Sequence, residues 1–194
     1  MKRYLNRLGA AAGGGVTLAH NLIVSRRHSP MPAQQGAVAV YRGMAADEYA
    51  QVLALYADFH RGRRPDWLKR ALCRFAGDRL VLVAVLEEQA GPRVVGMDLF
   101  YATPRDRREG TIHEGFIGVH PEVAGRGVAT ALRGAAIAHF AAQGYRGIST
   151  RISLDNPASL ASAARQGFMP RERYRDPATG CERQYLVRWL RDAY

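Results

Sequence analysis

Cysteine and clustered metal ligands are scarce in this chain. Cys73 and Cys181 are the only cysteines among 194 residues, too few and too widely separated to form a disulfide framework. We interpret them as reduced thiols of a cytoplasmic protein. The six histidines form no closely spaced pairs with cysteine, so no metal site is expected. An internal repeat is also missing.

Acidic residues are absent from the first 46 positions, because the first acid is Asp47. Six of the 28 Lys and Arg residues lie in that segment, so it carries +6 of the net charge of +11, and the rest of the chain carries +5. Such an excess points to an anionic partner. Basic stripes interleaved with aromatic residues, typical of nucleic-acid modules, are missing, so we expect a phosphorylated ligand and no nucleic acid.

The chain lacks an apolar run strong enough to identify a membrane anchor. Residues 8–25 are uncharged, but Gly9 and Gly13–Gly15 make them only weakly hydrophobic. We therefore interpret residues 1–36 as a basic N-terminal extension, flexible or loosely docked. A targeting segment and a membrane-surface element stay open as alternatives. A single domain is expected over residues 37–194.

Hydropathy patterns in that domain predict an α/β fold with a mixed, mostly antiparallel central sheet flanked by helices. The apolar run Leu80–Leu86 predicts a buried strand, and the short Gly91-Pro92 turn joins it to Val94–Tyr101, which implies antiparallel pairing. Thr111–Val119 predicts a further strand, and Val128–Gln143 predicts an amphipathic helix. The expected order is strand, two helices, three antiparallel strands, helix, strand, helix and a final hairpin.

A glycine-flanked segment, Ala124-Gly125-Arg126-Gly127-Val128-Ala129, joins a predicted strand to a predicted helix. Unpaired N–H groups and the helix dipole favour an anion at such a position, and glycine lets a phosphate approach the backbone closely. The same residues also suit a plain tight turn. A Walker loop does not fit, because no Gly-Lys-Ser/Thr follows, and a Rossmann fingerprint does not fit, because Thr130 replaces its third small residue.

Two further patterns flank this segment. Val119-His120-Pro121 precedes it, and Asn156 stands eleven residues before Gly167-Phe168. Together these features resemble the GCN5-related N-acetyltransferase (GNAT) superfamily, and the order of elements predicted above agrees with that of the superfamily. The resemblance covers about residues 37–190 and is most specific from Glu114 to Phe168.

The resemblance implies acetyl-CoA as co-substrate. Backbone amides of the glycine-flanked segment would hold its pyrophosphate, and Val119 and Asn156 would contact the rest of the molecule from the two sides of a splayed pair of strands. Ala124 departs from the usual Gln or Arg, and Arg126 is a candidate replacement. The implied cofactor-binding residues are Val119, Ala124, Gly125, Arg126, Gly127, Val128, Ala129 and Asn156.

Acyl transfer from a thioester to an amine requires a neutral amine and a proton for the departing sulfur. We expect Glu114 to act as the base, because the superfamily often keeps a carboxylate near this strand position, and His120 to assist as a proton shuttle. Strict strand alternation places Glu114 and His120 on one face and His113 on the other, unless a bulge intervenes. Ala163 occupies the place of the usual tyrosine acid, so Tyr185 is a candidate donor. For each residue a structural role stays open.

The function expected from these features is an enzyme, an acyl-CoA-dependent N-acetyltransferase that moves an acetyl group directly to a primary amine. A small molecule or amino sugar is the preferred acceptor, with a protein acceptor and a homodimer left open. The alternative is a non-catalytic acyl-CoA-binding sensor or interaction module of the same fold, which the substitutions Ala124 and Ala163 motivate.

Overall fold

The computed structural model describes residues 2–177 and 179–190. Six helices longer than one turn occur in the described part, and eight strands form one sheet. In chain order the helices are α1 (Lys2–Ser25), α2 (Tyr49–Phe59), α3 (Trp67–Leu80), α4 (Pro104–Glu109), α5 (Val128–Ala142) and α6 (Pro157–Arg165). The strands are β1 (Gln34–Gln35), β2 (Val40–Gly43), β3 (Val81–Glu88), β4 (Gly91–Tyr101), β5 (Thr111–Val119), β6 (Gly147–Ser153), β7 (Met169–Arg175) and β8 (Glu182–Trp189).

The sheet is mostly antiparallel, which confirms the predicted fold class. Its strand order is β1-β2-β3-β4-β5-β6-β8-β7, and only β5 and β6 pair in parallel. A parallel pair requires a crossover, and α5 supplies it between these two strands. The final strand β8 lies between β6 and β7, so the hairpin predicted at the end of the chain joins the sheet through its second strand.

Alternating residues of β3 show how the two faces of the sheet are covered. Val81, Val83 and Val85 belong to an apolar cluster with residues of α2. Leu82 and Ala84 belong to the second cluster, which includes residues of α5. Because successive strand side chains point to opposite faces, α2 and α5 cover opposite faces of the sheet. This explains why the run Leu80–Leu86 is apolar without alternation.

A β-bulge in β5 changes which residues share a face. Leu99 of β4 pairs with Phe116 and Phe100 pairs with Glu114, so Gly115 is left without a partner in β4. A Cβ at Gly115 would collide with the ring of Tyr101, which explains glycine there. The bulge is the exception under which strict alternation was not expected to hold, and beyond it the parity is reversed, so Glu114 and His120 do not share a face.

Residues before the family-like domain form a helix that the sequence interpretation did not predict. Within α1, Asn21 is buried and bonds both backbone groups of Ala102, accepting from its N–H at 2.7 Å and donating to its oxygen at 3.0 Å. The short helix α4 was also not predicted. Within the described residues, no helix combines the length and apolar character needed to cross a membrane. The division at residue 36 stays a prediction.

Candidate active site

The cleft of this protein is formed where β5 and β6 separate. Their parallel pairing runs from Thr111–Gly147 to Glu114–Thr150 and stops there. Beyond that point a cavity of about 440 Å³ opens between the strands. It is lined by Phe59, His60, Glu114, Gly115, Phe116, Ile117, Arg133, Thr150, Arg151, Ile152, Ser153, Asn156, Ser159 and Arg183.

The glycine-flanked segment forms the turn that enters α5. Gly125 and Gly127 have φ angles of +73° and +82°, and a Cβ at either position would have no atom within 4 Å. No side chain caps the start of α5. The first-turn N–H groups of a helix have no intrahelical acceptors, so this exposed turn is a candidate anion site. Arg126 is exposed beside it.

The other two implied cofactor contacts lie on either side of the opening. Val119 ends β5 and pairs with Gly96 of β4, which leaves its other edge unpaired with β6. Asn156 precedes α6, and its Oδ1 accepts a hydrogen bond from the Ser159 N–H at 3.1 Å. The exposed Asn156 lines the cleft directly. Val119 and the glycine turn are outside the lining of the cavity, and the contacts of all these residues with a ligand stay a prediction.

Glu114 is held in a buried ion pair on the α5 face. Both of its carboxylate oxygens accept from the Arg133 guanidinium, at 2.7 and 2.8 Å. Asp98 of β4 is fully buried beside this pair. Its burial and the negative charge of Glu114 raise the pKa of Asp98 well above the usual range. A neutral Asp98 leaves the cluster with one negative and one positive charge.

His113, the neighbour of Glu114, joins a hydrogen-bonded chain with the polar groups of two other elements. Its Nδ1 lies 2.8 Å from the Ser149 hydroxyl oxygen, and Ser149 lies 2.6 Å from Oδ1 of the buried Asp106. Because a carboxylate only accepts, Ser149 donates to Asp106 and accepts from the His113 Nδ1–H. Nε2 of His113 then carries the free lone pair. Burial lowers the pKa of His113 to about 4, and the charge of Arg151 acts in the same direction.

His120 and Tyr185 lie apart from Glu114. His120 follows β5 at the open end, partly exposed, and its Nδ1 accepts from the Glu122 N–H at 3.4 Å. Tyr185 of β8 is buried, its hydroxyl donates to Glu109 at 3.2 Å, and the Arg105 guanidinium lies 3.8 Å from its ring centre. Burial raises the pKa of Tyr185. The structure therefore does not bring the three predicted catalytic residues together.

Ala163, at the place of the usual tyrosine acid, is fully buried in the cluster on the α5 side. Its neighbour in α6, Ser162, accepts a hydrogen bond from Arg133 at 3.1 Å. The α6 helix thus contacts the Glu114–Arg133 pair through a small hydroxyl. Among the described residues, no group of three His, Cys, Asp or Glu side chains is arranged to hold a metal ion.

The sequence interpretation missed the roles of Asp98, Asp106 and Ser149. Asp98 interrupts an otherwise apolar strand, and Asp106 lies three residues after Thr103, the spacing of a helix cap. A buried acid within a strand was therefore visible in the sequence. Its partners were not, because Asp98, Glu114 and Arg133 meet only when β4, β5 and α5 pack together.

Comparison with known proteins agrees with this geometry. The model of the acetyltransferase (GNAT) family matches residues 49–168, more than half of the chain. No curated protein matches significantly.

Three solved structures illustrate the similarity. The NatC complex bound to Gag peptide and CoA is 18% identical, with a TM-score of 0.67 over 77% of this chain and 97% of that chain. The protein yncA from Salmonella typhimurium with its cofactor acetyl-CoA is 20% identical, with a TM-score of 0.62 over 79% and 95% of the two chains. The diaminobutyrate acetyltransferase EctA from Paenibacillus lautus, in complex with L-2,4-diaminobutyric acid and coenzyme A, is 20% identical, with a TM-score of 0.62 over 82% and 99%. At these identities the likeness establishes the fold.

Proposed function

The chain belongs to the acetyltransferase (GNAT) family, and from this premise we propose that it transfers an acetyl group from acetyl-CoA to the amine of a small molecule. The observation that carries this proposal is the cleft between β5 and β6. The pairing of β5 with β6 stops after Glu114–Thr150. Beyond that point the facing edges of the two strands are unpaired, and an extended ligand fits in the cavity between them. The glycine turn before α5 is the proposed anion site for the phosphates of the same ligand.

The residues present fit the phosphate groups of a CoA molecule. The open space around Gly125 and Gly127 allows a phosphate to approach the backbone, and the first turn of α5 presents amide donors and a positive dipole end. Arg126 adds an exposed cation in place of the usual residue at Ala124. Val119 and Asn156 are the proposed contacts nearer the thioester. When bound, acetyl-CoA supplies the carbonyl carbon that accepts the amine.

Transfer requires that the amine lose a proton before or during attack. We assign this proton to Nε2 of His113, because the Ser149–Asp106 chain fixes Nδ1 as a donor and leaves Nε2 as an acceptor. The low pKa of His113 keeps the ring neutral at physiological pH. As the new C–N bond forms and the C–S bond breaks, the amine proton passes to His113 and the sulfur takes a proton from water. The hydroxide that remains then takes the proton from His113, which returns to its neutral form.

The roles predicted for Glu114, His120 and Tyr185 stay predictions. Two guanidinium hydrogen bonds to Glu114 favour a structural role, since both oxygens are occupied by Arg133. His120 follows β5, is partly exposed and is outside the lining of the cleft, so a shuttle to solvent is the role that its position suits. The Tyr185 hydroxyl donates to Glu109, so it has a proton but a competing acceptor. Substitution of each residue followed by kinetics at saturating substrates tests these roles separately.

The cofactor site is tested with Gly127→Glu. A carboxylate at this position would face the proposed pyrophosphate, so we expect acetyl-CoA to bind about 100-fold more weakly by calorimetric titration. Gly134→Glu is the matched control, because Gly134 lies in the same helix with no atom near its added Cβ. Gly127→Ala separates backbone strain from charge. Unchanged affinity in Gly127→Glu would contradict the position of the phosphate site.

A non-catalytic acyl-CoA sensor is the second candidate. The observation in its favour is Ala163, whose methyl group is buried where the superfamily usually keeps a tyrosine. Both proposals expect the same cofactor binding, so the discriminating measurement is release of free CoA thiol when amines are added. Saturable binding without amine-dependent thiol release would favour the sensor.

A further inference from the structure

Three arginines line the cleft, and they differ in how their charges are neutralised. Arg133 binds Glu114, and Arg183 lies 2.8 Å from the Asp176 carboxylate. Arg151 is exposed, and within the described residues no carboxylate lies within ion-pair distance of it. The cleft therefore carries one positive charge that the described protein groups do not balance.

Arg151 lies on the face of the sheet that carries the proposed base. In β6, Ile148 and Ile152 belong to the cluster on the α5 side, so Ser149, Arg151 and Ser153 project to the opposite face. Ser149 bonds His113 there, and the charge of Arg151 acts on both His113 and Tyr101. Arg151 is thus on the same face as His113 and near enough for its charge to act on that ring, although His113 is buried behind the residues that line the cleft.

The glycine turn that would bind the phosphates of CoA is associated with the other face. It leads into α5, which covers the side of the sheet that holds Glu114 and Ile112. Arg151 projects from the opposite face of β6, although it lines the same cleft as Arg133. A simple ammonium entering the cleft would be repelled by Arg151, whereas an amine that also carries an anion would bring its own counter-charge.

We infer, resting on the proposed transferase function, that the acceptor is a small amine bearing a carboxylate or phosphate, and that Arg151 binds this anionic group. A guanidinium suits both groups, because its N–H donors match two oxygens of either one. The same positive charge favours the neutral form of a nearby amine, which is the form that attacks the thioester.

The test uses matched pairs of acceptors that differ in the anion. We choose L-2,4-diaminobutyrate with its carboxamide, and glucosamine 6-phosphate with glucosamine, so the first pair tests a carboxylate and the second a phosphate. Each is titrated into the CoA-loaded protein by calorimetry and assayed for CoA release with acetyl-CoA. We expect an anionic member to bind and to have a kcat/KM about 10- to 100-fold above its neutral partner.

Arg151→Gln should remove that preference while leaving the Kd of acetyl-CoA unchanged. Arg108→Gln is the matched control, since Arg108 is exposed on α4 and outside the cleft. The inference is overturned if neither anionic acceptor binds the CoA-loaded protein. It is also overturned if, for a pair whose anionic member is a substrate, Arg151→Gln leaves the kcat/KM of both members unchanged. It is also overturned if Arg151→Gln weakens acetyl-CoA instead, which would place the cofactor at Arg151.

These outcomes are distinct from failure of the proposed function. A wild-type protein that binds no acetyl-CoA would refute the transferase itself. Binding of acetyl-CoA, its loss in Gly127→Glu and an absent preference for the anion would refute only the acceptor class.

Discussion

His113 and Glu114 are neighbours in β5, yet their environments are opposite. Glu114 faces α5, where a buried guanidinium occupies both of its oxygens. His113 lies on the other face, where a serine hydroxyl fixes one ring nitrogen and the second keeps its lone pair. Burial lowers the pKa of His113 and keeps its ring neutral, whereas Glu114 is bound through both oxygens to Arg133.

The comparison shows that the residue type alone does not identify a base. A carboxylate within a strand beside the cofactor loop is a reasonable candidate, and so is a histidine. What differs is the set of partners: Arg133 comes 19 positions after Glu114, and Ser149 comes 36 positions after His113. Chemical roles on this strand therefore depend on which helix or strand covers each face.

Removal of Arg133 should have the largest effect on stability, because it takes away the cation that binds both oxygens of Glu114. Arg133→Ala would leave Glu114 buried without a cation beside Asp98, and we expect a loss of about 3–5 kcal/mol in the free energy of unfolding. Urea denaturation at pH 7 measures this change.

The double variant Arg133→Met with Glu114→Leu is the control, since it removes both charges. We expect it to recover most of the loss, as buried ion pairs are often replaceable by apolar residues. A double variant as unstable as Arg133→Ala would show that packing of the arginine stem, and not its charge, dominates.

The second prediction compares the two neighbours in catalysis. Asn at position 113 keeps a donor near Ser149 and removes the second ring nitrogen, so His113→Asn should lower kcat by about 10²- to 10³-fold. Glu114→Gln should change kcat by less than about tenfold. Both are measured with one accepted amine at pH 7.5, with folding checked by circular dichroism. A larger loss of kcat in Glu114→Gln than in His113→Asn would indicate that Glu114 is the base.

Much of the fold follows from local patterns in the sequence. Thr111–Val119 was predicted with its observed bounds, and the helix beginning at Val128 was predicted within one residue of its observed end. These elements are defined by strand hydropathy, Pro121 and flanking glycines, which act within a few residues. The resemblance to the family was visible in the same region, from Val119 and the glycine turn to Asn156, and it lies within the residues 49–168 that the family model matches.

The rest depended on contacts that local patterns do not encode. The bulge at Gly115 arises because Tyr101 of a neighbouring strand fills the space of a side chain, and it reverses the face of every later residue in β5. Helix α1 packs through Asn21 on Ala102, 81 positions away. The position of β8 between β6 and β7 likewise follows from long-range pairing.

The third prediction concerns the pH dependence of stability. The pKa of His113 is about 4 in the folded protein and near 6.5 when unfolded, so between these values the unfolded state binds more protons. Stability should fall as pH decreases from about 6.5 to about 4, by up to about 3 kcal/mol from this residue. His113→Asn should flatten the profile of unfolding free energy between pH 7 and pH 4.5.

His139 provides the control for this profile. Burial also lowers its pKa to about 4, but it lies in α5, away from the Ser149–Asp106 chain. His139→Gln should flatten a similar share of the pH profile without the loss of kcat expected for His113→Asn. Equal losses of kcat in both variants would mean that the effect of His113 on rate comes from stability.

The smallest effect on stability is expected at Asp98, beside the Glu114–Arg133 pair. Whether its substitution raises or lowers the free energy of unfolding tells whether Asp98 is neutral there. The pKa of Asp98 is raised in the folded protein, so above the pKa of the unfolded state the folded chain retains a proton that the unfolded chain releases. Asp98 therefore costs stability as pH rises.

Asn is isosteric with the neutral carboxyl and has an N–H to donate, so Asp98→Asn should add about 1 kcal/mol to the free energy of unfolding at pH 8 and nothing at pH 4. Asp47→Asn, at an exposed acid, serves as control. A loss of stability at pH 8 would mean that Asp98 is ionised and that Arg133 neutralises two carboxylates. In that case Arg133 would hold Glu114 less firmly.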